Sequence, residues 1–339
     1  MLRVLDPLHR PRTRDQAHAG GRGGPLQRQP PRCRRAAPHD RRPLTPARVV
    51  AGLVASIRPR QWVKNLFVFA GVIFAHKLFT ADAWRALAAF AIFCALSGVV
   101  YLLNDVADRE RDRAHPVKRA RPIASGALPV PAALVGALVL GVCALAGSVA
   151  LGRGFVITAA AYVGLLTLYS VRLKHVVIVD VLTVAAGFVL RAVAGAVAVD
   201  VDISGWLLIC TILIALFLAL GKRRHEYLTL DAEATRHRPI LAEYSAALLD
   251  QMIAVVTAST VTAYALYTMS PETVAKFDTR LLPATLPFVL YGIFRYLYLL
   301  YRHQLGGNPS ELFLNDRALI LNACLWIVAV VAIIYGTGR

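Results

Sequence analysis

The segment NDVADRERDRAHPVKRARP starts at Asn104, directly after the uncharged run FAIFCALSGVVYLL. If the helix predicted for that run continues past Leu103, then Asn104, Asp108 and Asp112 fall at i, i+4 and i+8 on one face, with Asp105 about a quarter-turn away. Three carboxylates and an amide present only oxygen donors. That set suits Mg²⁺, which takes one or two carboxylates, water and a substrate phosphate. Asp105, Asp108 and Asp112 are therefore the expected catalytic carboxylates, and with Asn104 the expected metal ligands. Carboxylates alone would repel a phosphorylated substrate. With a divalent ion, and with Lys118, Arg119 and Arg121 a few residues on, the same segment would attract one, so Lys118 and Arg121 are read as phosphate ligands. A metal-bound diphosphate leaves readily when the carbon behind it can carry positive charge, as an allylic carbon or the anomeric carbon of a sugar can.

The elements that must position this segment are membrane spans. Of the 339 residues, 57% are apolar and 17% charged, and mean hydropathy is +0.55, which excludes a soluble domain of this length. Nine apolar stretches recur, at roughly 65–79, 84–103, 129–151, 154–169, 176–199, 204–221, 246–269, 281–301 and 318–336. Each is near the length of a helix crossing about 30 Å of hydrocarbon, and helices leave no backbone group unpaired in lipid. Basic residues gather after the second, fourth, sixth and eighth stretches, among them Arg172, Arg224 and Arg302. The positive-inside rule then predicts an all-α, nine-span protein with a cytoplasmic N-terminus and an external C-terminus. The net charge is +18, yet residues 1–60 alone hold fourteen Arg against three Asp. Residues 1–54, rich in Arg, Pro and Gly without apolar periodicity, are predicted to be a disordered tail, and 55–339 the membrane domain.

Other polar residues lie at or inside the predicted spans. Lys64 and Asn65 open the first; snorkelling accounts for Lys64, an amide at a lipid boundary suits a ligand, and both readings of the pair stay open. Asp180 sits about one turn inside the fifth, where an acid costs enough to be functional by default, either orienting a Lys or Arg or binding sugar hydroxyls. Arg191, eleven residues on and near the same face, would meet a lipid phosphate or pair within the bundle. The nine histidines form no H-E-x-x-H and the five cysteines no C-x-x-C, so neither zinc nor a disulfide framework is indicated. A protein nucleophile is not required when the acceptor is itself an anionic phosphate.

NDVADRERDRAHPVKRARPIASG, the nine stretches and their polar loops resemble the UbiA superfamily of intramembrane prenyltransferases over about residues 55–336. The resemblance implies an all-helical bundle in the bacterial inner membrane, its central cavity open to the cytoplasm and sideways to lipid. Prenyl-transferring members carry a second Asp-rich motif after the sixth span. LGKRRHEYLTLDAEATRHRP stands there instead, with Glu226, Asp231 and Glu233 but no D-x-x-x-D. RPRQWVKNLFVFAG, YSVRLKHVVIVDVLTVAAGFVLRAVAG and GKRRHEY together resemble the decaprenyl-phosphate phosphoribosyltransferase branch. This implies Mg²⁺-dependent transfer of phosphoribose from 5-phosphoribosyl diphosphate to a polyprenyl phosphate, towards decaprenyl-phosphoryl arabinose and cell-wall arabinan. It groups Tyr169, Lys174 and Asp180, and Lys222, Arg223 and Glu226, with Lys64, Asn65, Lys118 and Arg121 as substrate-binding, and leaves Arg224 as a membrane anchor. The implied partners are donor, lipid acceptor and membrane, with no nucleic acid; a homo-oligomer is compatible. The alternative is a prenyltransferase moving a prenyl group from its diphosphate to an aromatic acceptor, which shares the Mg²⁺ motif.

Overall fold

Helix boundaries follow local sequence. A computed structural model of the chain describes residues 45–115, 117–229 and 239–336, and among these residues there is no strand. Helix α1 (Pro46–Ser56) opens with Pro at its first position, where the missing N–H is no loss. A 3₁₀ segment (Pro59–Val68) leads into α2 (Phe69–Phe74). Next come α3 (Asp82–Ala107), α4 (Arg109–Ala114) and α5 (Pro122–Ser125). Then α6 (Val130–Ala150) and α7 (Arg153–Val171) form a tight hairpin through Gly152, whose φ of +106° favours glycine. The remaining helices are α8 (Val179–Ala198), α9 (Gly205–Thr229), α10 (Ala246–Met269), α11 (Pro271–Phe277), α12 (Leu286–Arg302), α13 (Pro309–Asn315) and α14 (Arg317–Gly336). Ser245 and Ser270 cap α10 and α11 by accepting from the Leu248 and Thr273 N–H groups at 3.1 and 3.2 Å.

Eight helices among the described residues are long and apolar enough to cross a membrane: α3, α6 to α10, α12 with its preceding turn, and α14. The expected first span, 65–79, is not a ninth of this kind. It is replaced by the ten-residue 3₁₀ segment and six-residue α2. At about 2.0 Å per 3₁₀ residue and about 1.5 Å per α residue, the two together still rise about 29 Å. Their backbone lies directly on α8. A Cβ at Gly195 would come within 1.8 Å of the Val68 carbonyl oxygen, and one at Gly71 within 2.7 Å of the Ala196 nitrogen.

The expected boundary between tail and domain, at 54/55, falls inside α1. Val49, Leu53 and Ile57 recur at helical spacing and pack on Leu102, Ile123 and Leu128, so residues 46–54 are helix rather than disordered tail. Residues 1–44 lie outside the described residues.

Two apolar cores meet at α8. One joins α3, α6, α7 and α8 around Phe93, Phe155 and Tyr162; the other joins α8, α9, α10 and α12 around Phe217, Leu249 and Tyr296. Helix α8 is the central span, 61% buried along its apolar window against 22% for α6. Its Ala and Gly residues allow the close backbone approach that packs helices in lipid. Its last carbonyls are satisfied by Lys77 on Val199 and Arg85 on Ala198, both at 2.7 Å, cations suited to a helix C-terminus.

Candidate active site

A cavity of about 1140 Å³ lies within the bundle, walled by the 3₁₀ segment, α2, α3, α8, α9, α10, α12 and α14. Polar side chains from two arms line it. The first arm is the α3–α4 junction. Helix α3 stops at Ala107 and α4 restarts at Arg109. The Asp108 N–H still donates to Asn104, and the Asp112 N–H to Asp108, both at 2.8 Å. The i, i+4, i+8 register therefore survives the break.

Its carboxylates nevertheless do not converge. Among the described residues no group of three His, Cys, Asp or Glu is placed to hold a metal ion. The cause is Arg121, whose Nη1 donates to Asp105 at 3.0 Å and to Asp112 at 2.6 Å. Arg58 adds a second donor to Asp105 at 2.5 Å. Asp105 and Asp112 are both buried, and Asp112 does not line the cavity, whereas Asn104, Asp105 and Asp108 do. The direct ligand role expected of Asp112 thus gives way, in this geometry, to anchoring Arg121. Asp108 is the open member, its side chain 36% exposed and 3.6 Å from Arg111. Such a set fits Mg²⁺ in its usual protein form, with one or two carboxylates completed by water and substrate oxygens. It does not fit a three-carboxylate cage. Lys118 and Arg121 line the cavity beside it.

The second arm is the end of α9. This helix runs to Thr229, eight residues past its expected end, so Lys222, Arg223 and Glu226 are helical. Arg223, only 3% exposed, donates Nε to Asp180 at 2.7 Å, Nη1 to Glu226, and Nη2 to Tyr169 at 3.3 Å. Fully buried Asp180 accepts a further bond from Tyr244 at 2.9 Å. Burial pushes the Tyr244 phenol up to about 12, so it remains a donor near neutral pH. Lys222 lies 3.7 Å from Glu226. Tyr169, Lys222 and Arg223 line the cavity, while Asp180, Glu226 and Lys174 do not. Asp180 and Glu226 contact Arg223, and Lys174 sits in the turn after α7. Arg224 points elsewhere, to Asp250 at 2.5 Å and over the Tyr301 ring at 4.0 Å. Asp231 and Glu233 lie outside the described residues.

Lys64 also lines the cavity, but neighbouring Asn65 does not. Asn65 is buried, accepting from Arg191 Nε at 2.7 Å and donating to Cys94 at 3.2 Å. It positions Arg191 instead of facing a ligand. Sequence reasoning missed Arg58, which lies 4.8 Å over Tyr101 as well as on Asp105. It also missed Gln61, which bonds Asn308 and Ser310, each at 3.3 Å. Both stand in the RPRQWVKN run, but their partners are 47 and more than 240 residues away. No local spacing could have shown those pairs.

Residues 65–317 match the UbiA prenyltransferase family. The chain is 34% identical over 306 residues to the decaprenyl-phosphate phosphoribosyltransferase of Mycolicibacterium smegmatis, covering 86% of this chain and 94% of that one. With the enzyme of the same name from Corynebacterium glutamicum it shares 33% over 303 residues, 86% and 89% of the two chains. The fold is similar to that of a UbiA homologue from Archaeoglobus fulgidus bound to GPP and Mg²⁺, with a TM-score of 0.64, 17% identity and coverage of 84% and 99%. On the family match and the relatives' near-complete coverage, the chain belongs to the UbiA prenyltransferase family.

Proposed function

We propose that this protein transfers phosphoribose from 5-phosphoribosyl diphosphate to a polyprenyl phosphate and releases diphosphate, using Mg²⁺. The observation that carries the reading is Arg223. A buried guanidinium with three oriented acceptors lines the cavity at the place where prenyl-transferring members have their second Asp-rich motif. Carboxylates there would recruit another metal; a fixed planar fork suits a phosphate that arrives without one. The relatives named as decaprenyl-phosphate phosphoribosyltransferases support the same choice.

In this reading Asn104, Asp105 and Asp108 hold Mg²⁺, which when bound offsets negative charge developing on the diphosphate. Lys118 and Arg121 take diphosphate oxygens. Arg223 and Lys222 hold the sugar's 5-phosphate, with Tyr169, Asp180 and Glu226 fixing the guanidinium. An acceptor phosphate oxygen forms a bond to the anomeric carbon as the bond from that carbon to diphosphate breaks, and the bonding pair leaves with diphosphate. No proton has to be moved by a side chain. Positioning and exclusion of water are the protein's main contributions, and Phe67, Phe217 and Ile293 supply apolar wall. We place the polar end at the cytoplasmic face of a bacterial inner membrane, with the 59–74 segment as a ninth crossing element and the termini on opposite sides.

The test uses purified protein, Mg²⁺, radiolabelled 5-phosphoribosyl diphosphate and a polyprenyl phosphate, with label followed into the organic phase. Transfer abolished by EDTA is expected. Turnover of a prenyl diphosphate with an aromatic acid, and none with the sugar diphosphate, would establish the conventional prenyltransferase instead.

A further inference from the structure

Among the described residues, four of the eight cations that line the cavity have a carboxylate beside them. Arg58 and Arg121 contact Asp105, Lys222 contacts Glu226, and Arg223 contacts both Asp180 and Glu226. The other four are Lys118, on the α3–α4 arm, Lys276, on α11, and Lys64 and Arg191, which neither arm accounts for. Arg191 is 5% exposed yet lines the cavity. Its three hydrogen bonds go to neutral acceptors: Asn65 at 2.7 Å, the Gly187 carbonyl at 2.8 Å and Tyr162 at 2.6 Å. A guanidinium has five N–H donors and stays charged in proteins, so one donor on each Nη is still unused. Lys64 makes no hydrogen bond or ion pair among the described residues, and it lies within electrostatic reach of Arg191, Lys222 and Arg58. Uncompensated positive charge inside a membrane bundle is unfavourable by itself and is relieved by an anion.

Depth identifies the anion. Arg191 stands eleven residues along α8 from Asp180, about 16 Å further into the span. Tyr162, which fixes it, is seven residues into α7 from Tyr169, about 10 Å. Tyr162 also bonds Ser97 at 3.0 Å, seven residues before Asn104 on α3, so Arg191 is on the membrane side of both polar arms. Beyond it much of the wall is apolar, with Ile73, Phe74, Leu207, Phe288 and Ile327, and the charged Asp202, Glu272 and Lys276 line its far end, on the segments after α8 and α10. A water-soluble sugar diphosphate has no use for that wall, whereas a lipid phosphate needs cations for its head and an apolar path for its tail.

We propose that Lys64 and Arg191 bind the phosphate monoester of the lipid acceptor, beneath the donor and without a metal. The fixed charge of Arg191, joined by a Lys64 ammonium that an incoming anion stabilises, suits a monoester carrying about −1.5 to −2 at neutral pH. Among the described residues no carboxylate pairs with either residue to recruit an ion. Asn65 and Tyr162 are positioning residues that hold the fork of Arg191 towards the cavity. The name of the acceptor rests on the transferase reading above; the charge and depth of the site do not.

Equilibrium binding to the purified full-length chain tests this with three probes: farnesyl phosphate, uncharged farnesol, and 5-phosphoribosyl diphosphate with Mg²⁺. Wild type is expected to bind farnesyl phosphate more tightly than farnesol. Arg191→Gln and Lys64→Gln are each expected to weaken farnesyl phosphate by about tenfold or more, leaving farnesol and the sugar diphosphate within about twofold. Arg191→Lys, which keeps the charge, should recover most of the loss, a rescue that a merely structural role would not give. Lys64→Gln removes no hydrogen bond within the described fold, so it remains informative if Arg191→Gln fails to fold. Unchanged farnesyl phosphate affinity in Lys64→Gln, or loss of sugar diphosphate affinity in its place, would overturn the assignment, the second result marking a site for the donor's 5-phosphate. Charge-dependent farnesyl phosphate binding without phosphoribosyl turnover would leave this site standing while the transferase reading fails.

Discussion

At the α3–α4 junction and at the end of α9 the same pairing, arginine with carboxylate in a buried setting, is used with its roles reversed. At α3–α4 the arginines are the supports: Arg58 and Arg121 hold Asp105, Arg121 also ties down Asp112, and the partly exposed Asp108 is left facing the cavity. At α9 the carboxylates are the supports, with Asp180 and Glu226 behind a guanidinium that lines the cavity. One arm brings the oxygens of Asn104, Asp105 and Asp108 to the cavity with Arg58, Lys118 and Arg121 beside them, and the other brings the N–H groups of Lys222 and Arg223. The difference teaches that counting acids and bases in a motif does not give the sign of the surface it presents. How each pair is turned towards the cavity decides it, and a buried ion is retained only when paired.

Experiments that separate the arms sharpen this comparison. Asp108→Ala should have the largest effect on activity, lowering phosphoribosyl transfer by about 10²- to 10³-fold and leaving a residue insensitive to EDTA, with thermal stability unchanged because the side chain is partly exposed. Arg223→Ala should cost about 10²-fold in transfer while the remaining activity still responds to EDTA. It should also destabilise the fold by about 3–5 kcal/mol, since fully buried Asp180 loses its cation. Equal loss of metal response in both variants would break the assignment of opposite roles. Asp112→Asn, which only loosens Arg121, should reduce activity by about tenfold, measured as a change smaller than that of Asp108→Ala at saturating Mg²⁺.

Two substitutions outside the polar arms complete the series. Gly195→Ala would set a methyl against the Val68 carbonyl oxygen and should destabilise by about 1–3 kcal/mol, read from thermal unfolding, with donor affinity altered only through displacement of the 3₁₀ segment. Asp316→Asn should have the smallest effect, about 1 kcal/mol. Asp316 caps the N-terminus of α14 through the Leu319 N–H at 2.9 Å and bonds Arg295. The Arg295 hydrogen bonds hold its carboxyl below the ordinary range. A depressed carboxyl contributes stability above its unfolded pKa and loses it as pH falls through the folded value. The difference between Asp316→Asn and wild type should accordingly be full at neutral pH and shrink in acid.

Much of the site was legible because it is written locally. The oxygen donors of NDVADRERD follow from helical periodicity, and their register persists across the break at Asp108. Asp180 was legible as an intramembrane acid whose cost demands a partner, and that partner is Arg223. Residues 46–54 were misread because flanking Pro and Arg obscured the short apolar period of α1. The 65–79 stretch was misread because composition measures apolar length but not the tight backbone path that Gly71 and Gly195 permit.

By itself the sequence determined the class of the protein, most of its long helices and the oxygen-donor register. These depend on hydropathy and on contacts a few residues apart. Only the tertiary structure decided that Arg121 divides the carboxylates, that Asp180 and Glu226 face Arg223, that Asn65 turns away from the cavity, and that Lys64 and Arg191 have no carboxylate partner among the described residues. Apart from Glu226, three residues from Arg223 on α9, and Asp112, nine residues from Arg121, each depends on which separate segment supplies the neighbour. In a low-dielectric bundle that neighbour determines whether a charge is a support or a ligand.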